Sequence, residues 1–156
     1  MMVLFLRHAD AEGARTSDFE RKLTPKGLEQ SEKVGKFCAR NGLVPDVILA
    51  SPLARAQETA QGVSKKLGDV EIITENALAC GMTPDSCIDL LRGYQKFTTV
   101  MLVGHEPDFG ECIAHLAGME NSSQICVRKA SLTAINLAGG NFSAGVLEFF
   151  VPSRLM

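Results

Sequence analysis

At 156 residues the chain has the length of one globular domain. A chain of that length buries roughly 70% of the surface its unfolded form exposes, without help from disulfides or a structural metal. Hydrophobic residues at 46% and charged residues at 22% exclude wholesale disorder, and 16 basic against 18 acidic residues exclude a nucleic-acid protein held by bulk charge.

Met2 to Arg7 is a short apolar run rich in strand formers and reads as a buried parallel strand. It meets Arg7 at once, so the opening does not read as a signal peptide, and no apolar run approaches the roughly 18 residues that span a bilayer. His8 to Lys22 is polar and reads as a loop. Thr24-Pro25 opens a helix, with Thr as N-cap and Pro at the first helical position; Leu28, Val34, Phe37 and Cys38 supply its apolar positions, and Asn41-Gly42 ends it. Asp46 to Ala50 is a second strand, and Ser51-Pro52 repeats the cap-then-proline signal for a helix to Leu67. Val70 to Thr74 is a third strand. Thr83-Pro84 opens a helix to Tyr94, and Thr98 to Val103 is the expected central strand. Pro107 opens a helix to Ala117, stopped by Gly118. Leu132 to Leu137 and Gly145 to Val151 are two further strands, joined by a hairpin-type turn at Ala138-Gly-Gly-Asn141. This order predicts one domain over residues 1–156, a three-layer α/β/α arrangement with a mostly parallel central sheet and an antiparallel C-terminal strand pair.

The five cysteines form no CxxC pair, so no zinc site is expected, and the thiols are expected reduced in a cytoplasm. Histidine is scarce: His8, His105 and His115. In an open parallel sheet the ligand crevice lies beyond the carboxyl ends of the strands. Arg7-His8 follows the first strand, Ser51 and (one helical turn on) Arg55 follow the second, and His105 follows the fourth. Two arginines offer donor forks for the oxygens of a phosphoryl group. A neutral imidazole is a nucleophile toward phosphorus, and a second histidine can stabilise charge on the transferring group. These are parts for phosphoryl transfer through a phosphohistidine, with no metal or cofactor required. His115, in a helix away from any strand end, reads as structural.

Leu6-Arg7-His8-Ala9-Asp10 resembles the RHG/RHA signature of the histidine phosphatase superfamily, whose fold is phosphoglycerate mutase-like. Ser51-Pro-Leu-Ala-Arg55-Ala-Gln-Glu-Thr59 resembles its SPLxRAxxT motif, Val103-Gly-His105-Glu-Pro107 its third, and Arg21-Lys-Leu-Thr24-Pro-Lys-Gly27 its RxLTxxG element. The short length and the RHA form are most similar to SixA-type phosphohistidine phosphatases. That resemblance implies His8 as nucleophile, Arg7 and Arg55 as phosphate clamps, His105 as transition-state stabiliser and Arg21 as a ligand reaching in from the loop. Many relatives carry a carboxylate after the third strand as general acid, whereas Asn76 to Met82 contains none here. An alkoxide leaves poorly without a proton, an imidazole less so, so phosphohistidine in a protein is the expected substrate. Asp10, Asp18 and Glu106 remain as proton donors, under which the chain would be a small-metabolite phosphomonoesterase. A phosphate-binding or interaction module without turnover is the reading of a different class. A monomer without nucleic-acid or membrane partners is expected.

Overall fold

The computed structural model describes residues 1–13, 17–137, 142 and 144–156, so the expected turn at 138–141 lies outside the described residues. Elements follow in the order β1 (Met2–Arg7), α1 (Pro25–Arg40), β2 (Val47–Ala50), α2 (Ala54–Ser64), β3 (Ile72–Thr74), α3 (Pro84–Gly93), β4 (Thr99–Gly104), α4 (Asp108–Leu116), β5 (Leu132–Asn136) and β6 (Val146–Val151). The six-stranded sheet runs β3-β2-β4-β1-β5-β6. The first four of these strands are parallel, while β5 pairs antiparallel with both β1 and β6. β1, buried and parallel to β4 as its apolar run predicts, also has β5 as an antiparallel neighbour.

Strand alternation sends side chains to two faces. Val3, Phe5, Val47, Leu49, Val100 and Leu102 pack against α3 and α4, with Phe109 meeting Phe5 edge-on at 5.2 Å between ring centroids. Leu4, Leu6, Ile48, Ala50, Met101 and Val103 pack against α1 and α2. Because both faces are covered, β1, β2 and β4 are apolar at consecutive positions.

Two helices start where cap-then-proline places them. Thr24 accepts from the Gly27 N–H ahead of α1, and Thr83 forms a capping box with Ser86 ahead of α3. The third occurrence behaves differently. α2 begins at Ala54, its N-cap is Leu53 without a side-chain bond, and it ends at Ser64 instead of Leu67. Ser51 does not cap it: its hydroxyl lies 3.4 Å from the Leu53 N–H, ahead of the first helical turn, and meets a side chain described below. Pro107 likewise sits at the N-cap of α4, one position before the expected first turn.

Helix α1 buries Gly27, Ser31, Val34, Gly35 and Cys38, a stripe of small residues, whereas Leu28 is exposed. The small residues let α1 approach its neighbours closely. A Cβ on Gly27 would lie 1.9 Å from the carbonyl oxygen of Asp10, and one on Gly62 of α2 would lie 2.1 Å from the Ser31 Oγ. Helix α1 is thereby pressed against the loop that leaves β1. Among the described residues no helix is long and apolar enough to cross a membrane.

Candidate active site

Strand register brings the predicted residues together. Arg7 pairs with Gly104 and Ala50 with Val103, so His8 and His105 leave adjacent strands at the same level and Ser51 leaves the third strand one residue earlier, level with Gly104. The pairing continues one residue past the strand ends: the His8 N–H donates to the Gly104 carbonyl and the Ser51 N–H to that of Val103, both at 2.9 Å.

His8 is buried, and its Nδ1 lies 2.8 Å from its neighbour's carbonyl, that of Ala9. A carbonyl only accepts, so Nδ1 carries the proton and Nε2 keeps the lone pair. The Ala9 peptide is held in turn by Thr59, whose Oγ1 accepts the Ala9 N–H at 3.0 Å. Burial, opposed by the Ala9 hydrogen bond and reinforced by the Arg55, Arg7 and Lys129 cations, lowers the His8 pKa to about 4. At neutral pH the ring is an uncharged base with its lone pair on Nε2.

Arg55 lies on α2 one turn before Thr59, so a single helix face serves both. Its Nε is 3.3 Å from His8 Nε2, its Nη1 donates to the Asp18 carbonyl at 2.8 Å, and its Nη2 lies 3.1 Å from the Asp18 carboxylate. Arg7 donates from Nη1 to the Val127 carbonyl at 2.8 Å, while its buried Nε has no partner among the described residues. His105 is 2% exposed, with its ring centroid 5.3 Å from that of His8. Its Nε2 lies 2.8 Å from Ser51 Oγ, and its buried Nδ1 is unpartnered among the described residues. Burial, followed by the Arg55 charge, lowers His105 to about 3.

Among the described residues Arg21 makes no hydrogen bond to His8. It donates to the Glu12 carbonyl and, at 2.7 Å, to the Asp18 carboxylate, so it reaches the crevice through Asp18. Asp10 is paired with Lys129 at 2.8 Å and accepts from Thr24, and Asp18 is paired with both arginines. These hydrogen bonds hold both carboxyls below the usual range, which keeps them ionised. Glu106 differs: half-buried, it is raised by desolvation although it accepts from the Gly110 N–H. Of the three candidate proton donors only Glu106 is shifted toward the protonated form. His115 is exposed in the last turn of α4, away from this cluster.

The supporting residues Thr59, Val127 and Asp108 carry no signal that isolates them in the sequence, apart from the threonine ending SPLxRAxxT. The buried Asp108 carboxylate accepts the Gly81 and Met82 N–H groups at 2.8 and 3.1 Å and so pins the segment after β3. That segment places Cys80 Sγ 4.0 Å from Arg55 Nη2.

The geometry is suited to a tetrahedral oxyanion: a neutral imidazole with a directed lone pair, an arginine fork beside it, and a second imidazole with an unused ring nitrogen. The family described as histidine phosphatase superfamily (branch 1) matches residues 3–79, which include the first two motifs. A phosphohistidine phosphatase SixA homolog of Haemophilus influenzae is 34% identical over 134 residues, covering 78% of this chain and 80% of the relative. Phosphohistidine phosphatase SixA of Escherichia coli is 26% identical over 153 residues, covering 92% of this chain and 91% of its own. The solved structure of the protein histidine phosphatase SixA complexed with tungstate superposes with a TM-score of 0.89 at 21% identity, covering 99% of each chain. With its motifs on adjacent strand ends and this extent of similarity, the chain belongs to the histidine phosphatase superfamily.

Proposed function

We propose that the protein is a phosphohistidine phosphatase that forms a phosphohistidine on His8, and that its substrates are proteins phosphorylated on histidine. The observation that carries the reading is the fixed tautomer of a buried, uncharged His8 beside the Arg55 fork. His8 Nε2 attacks phosphorus in line, forming an N–P bond as the bond from phosphorus to the substrate imidazole breaks. A substrate ring already protonated on its other nitrogen leaves as neutral imidazole and takes no proton from the enzyme. Water then attacks the phosphoryl group on His8. The Nδ1–H held by Ala9 lets His8 depart as neutral imidazole in the same way. Arg7 and Arg55 bind the phosphoryl oxygens, and His105 donates from Nδ1 to the charge that develops on them. Arg21 acts through Asp18, whose carboxylate orients Arg55.

Loss of a donor of this kind costs on the order of 3–4 kcal/mol, roughly a hundred- to a thousandfold in rate. The reading also agrees with the names of the two SixA-type relatives, and with the absence of a carboxylate from Asn76 to Met82.

The test is turnover of phosphohistidine peptides beside sugar and nucleotide monophosphates, with His8→Ala as control. The expected result is hydrolysis of the N–P substrate, loss of turnover in His8→Ala with unchanged thermal unfolding, and an acid-labile phosphoryl group trapped on the wild-type chain. Hydrolysis of monoesters alone, or full activity in His8→Ala, overturns it.

A further inference from the structure

A groove of about 490 Å³ opens beside Arg7 and runs to the C-terminal turn at Ser153–Leu155. In a chain of net charge −2, it is lined by Arg7, Lys26, Arg128, Lys129 and Arg154, with Asp10 as the one carboxylate among its lining residues. Lys129 is paired with Asp10. Lys26, Arg128 and Arg154 are exposed and make no ion pair among the described residues. The three come from distant parts of the chain, namely the first turn of α1, the segment before β5 and the C-terminal turn. Lys26 also stands against the local electrostatics. The start of a helix is its positive end, and α1 carries no acidic residue in its first turn. Folding alone gives no reason to gather these charges.

We propose that this groove is a second binding site, which receives an acidic polypeptide segment flanking the phosphorylated histidine of the substrate protein. The inference rests on the phosphohistidine phosphatase reading and names which phosphoproteins that site prefers. Arg7 provides the connection. Its side chain lines the groove, its backbone precedes His8, and its Nη1 is held by the carbonyl of Val127, which immediately precedes Arg128 and Lys129. The groove and the candidate site thus share Arg7, so an occupant of the groove lies against the residue next to His8.

Two features favour carboxylates of a polypeptide over a second phosphate on a small molecule. A compact phosphate is held by convergent, buried donors, whereas these three cations are exposed and spread along a groove of ligand-pocket size. Several Asp or Glu side chains on one segment match that spacing of flexible cations, each adding a small, salt-sensitive attraction.

The experiment compares five compounds at low and high salt: phosphohistidine itself, a phosphohistidine peptide with Asp and Glu on both flanks, the same peptide with Asn and Gln, and a small bisphosphate beside its monophosphate. Each is assayed with wild type and with the Arg128→Ala/Arg154→Ala double variant. The expected preference of wild type for the acidic peptide is about fivefold to tenfold in kcat/KM at low salt. It should reside in KM, shrink with added salt and disappear in the double variant, while turnover of phosphohistidine stays unchanged. Equal use of both peptides by wild type, with phosphohistidine still hydrolysed, overturns the groove proposal and leaves the phosphatase reading intact. So does a groove-dependent preference for a small bisphosphate over its monophosphate without any acidic-peptide preference. No hydrolysis of any phosphohistidine compound overturns both.

Discussion

Ser51 offers the sharpest separation between a structural and a positioning role. Its side chain is fully buried, and its Oγ lies 2.8 Å from His105 Nε2 and 3.4 Å from the Leu53 N–H. A hydroxyl accepting from Leu53 has its proton available for His105. In the tautomer that the proposed role requires, Nε2 accepts that proton and the ring's own proton sits on Nδ1, the nitrogen with no partner among the described residues. Ser51→Ala removes the donor, so the ring loses both its tautomer and its orientation. A net hydrogen bond of about 1–1.5 kcal/mol corresponds to roughly a tenfold fall in kcat. The variant also leaves a second buried nitrogen unpaired, which costs about 1–3 kcal/mol of stability. Removing His105 itself should cost more, on the order of a hundred- to a thousandfold.

The assay is a double-mutant cycle in kcat with thermal unfolding followed in parallel. Ser51→Ala should lower kcat about tenfold in the wild-type background and scarcely at all once His105→Ala is present. Ser51→Cys, a weaker donor, should fall between wild type and Ser51→Ala. The reasoning is refuted if kcat of the folded Ser51→Ala variant stays within twofold of wild type, or if the tenfold loss persists without His105.

Three further outcomes are expected. The pKa values of His8 and His105 lie at about 4 and about 3 in the folded chain, below the ordinary 6.5, so the unfolded chain binds more protons across that interval. Their contribution is intact above about pH 6.5 and lost as pH falls toward 4, by roughly 3 kcal/mol per histidine. Denaturant unfolding from pH 7 to 4.5 should show this decline, and His105→Gln should weaken it; an unchanged slope in that variant argues against the burial effect. Asp18→Asn keeps a carbonyl for Arg55 but removes a charge from the path of the substrate phosphoryl group, so inorganic phosphate should inhibit a few-fold more tightly with kcat little changed. A large drop in kcat would instead show that the charged carboxylate is needed, to orient Arg55 or to move a proton. Gly27→Ala places a Cβ 1.9 Å from the Asp10 carbonyl oxygen, so it should lower the unfolding temperature and reduce activity together by shifting the loop two residues beyond His8; an unperturbed variant would show that contact to be easily relaxed.

Much of the fold is legible because local chemistry and global packing agree there. Thr24-Pro25 and Thr83-Pro84 start helices, and the runs at β1, β2 and β4 form the buried strands. Legibility ends where a side chain has a competing long-range partner. Ser51-Pro52 carries the same signal as Thr24-Pro25, yet its hydroxyl is bonded to a histidine 54 positions away, and the helix starts later. On α1 the apolar period misleads, because close helix packing buries glycine and serine while Leu28 stays in solvent. The site divides along the same line. His8, Arg55 and His105 are marked by strand ends and motifs. The Val127 carbonyl that holds Arg7, 120 positions away, is backbone and has no sequence signature. Arg21, expected from the loop motif, is seen paired with Asp18, a loop residue whose place in the site becomes visible only when both arginines converge on it.

The state of the carboxylates bears on which leaving group the crevice can serve. Asp10 and Asp18 are committed to cations, Asp108 to two backbone amides, and Glu75 accepts from the Tyr94 hydroxyl. Glu106 alone is shifted toward protonation, and it already accepts from Gly110. The segment after β3, which holds no carboxylate from Asn76 to Met82, brings the Cys80 thiol to 4.0 Å from Arg55. A crevice so furnished stabilises a phosphoryl group well and protonates an alkoxide poorly. The same burial that keeps His8 uncharged, as its proposed role requires, is expected to make the protein acid-sensitive, a cost in stability tied to that role. An imidazole leaving group resolves the mismatch, because it departs neutral and needs from the protein only what this crevice contains: positive charge for the oxygens and a lone pair in line with phosphorus.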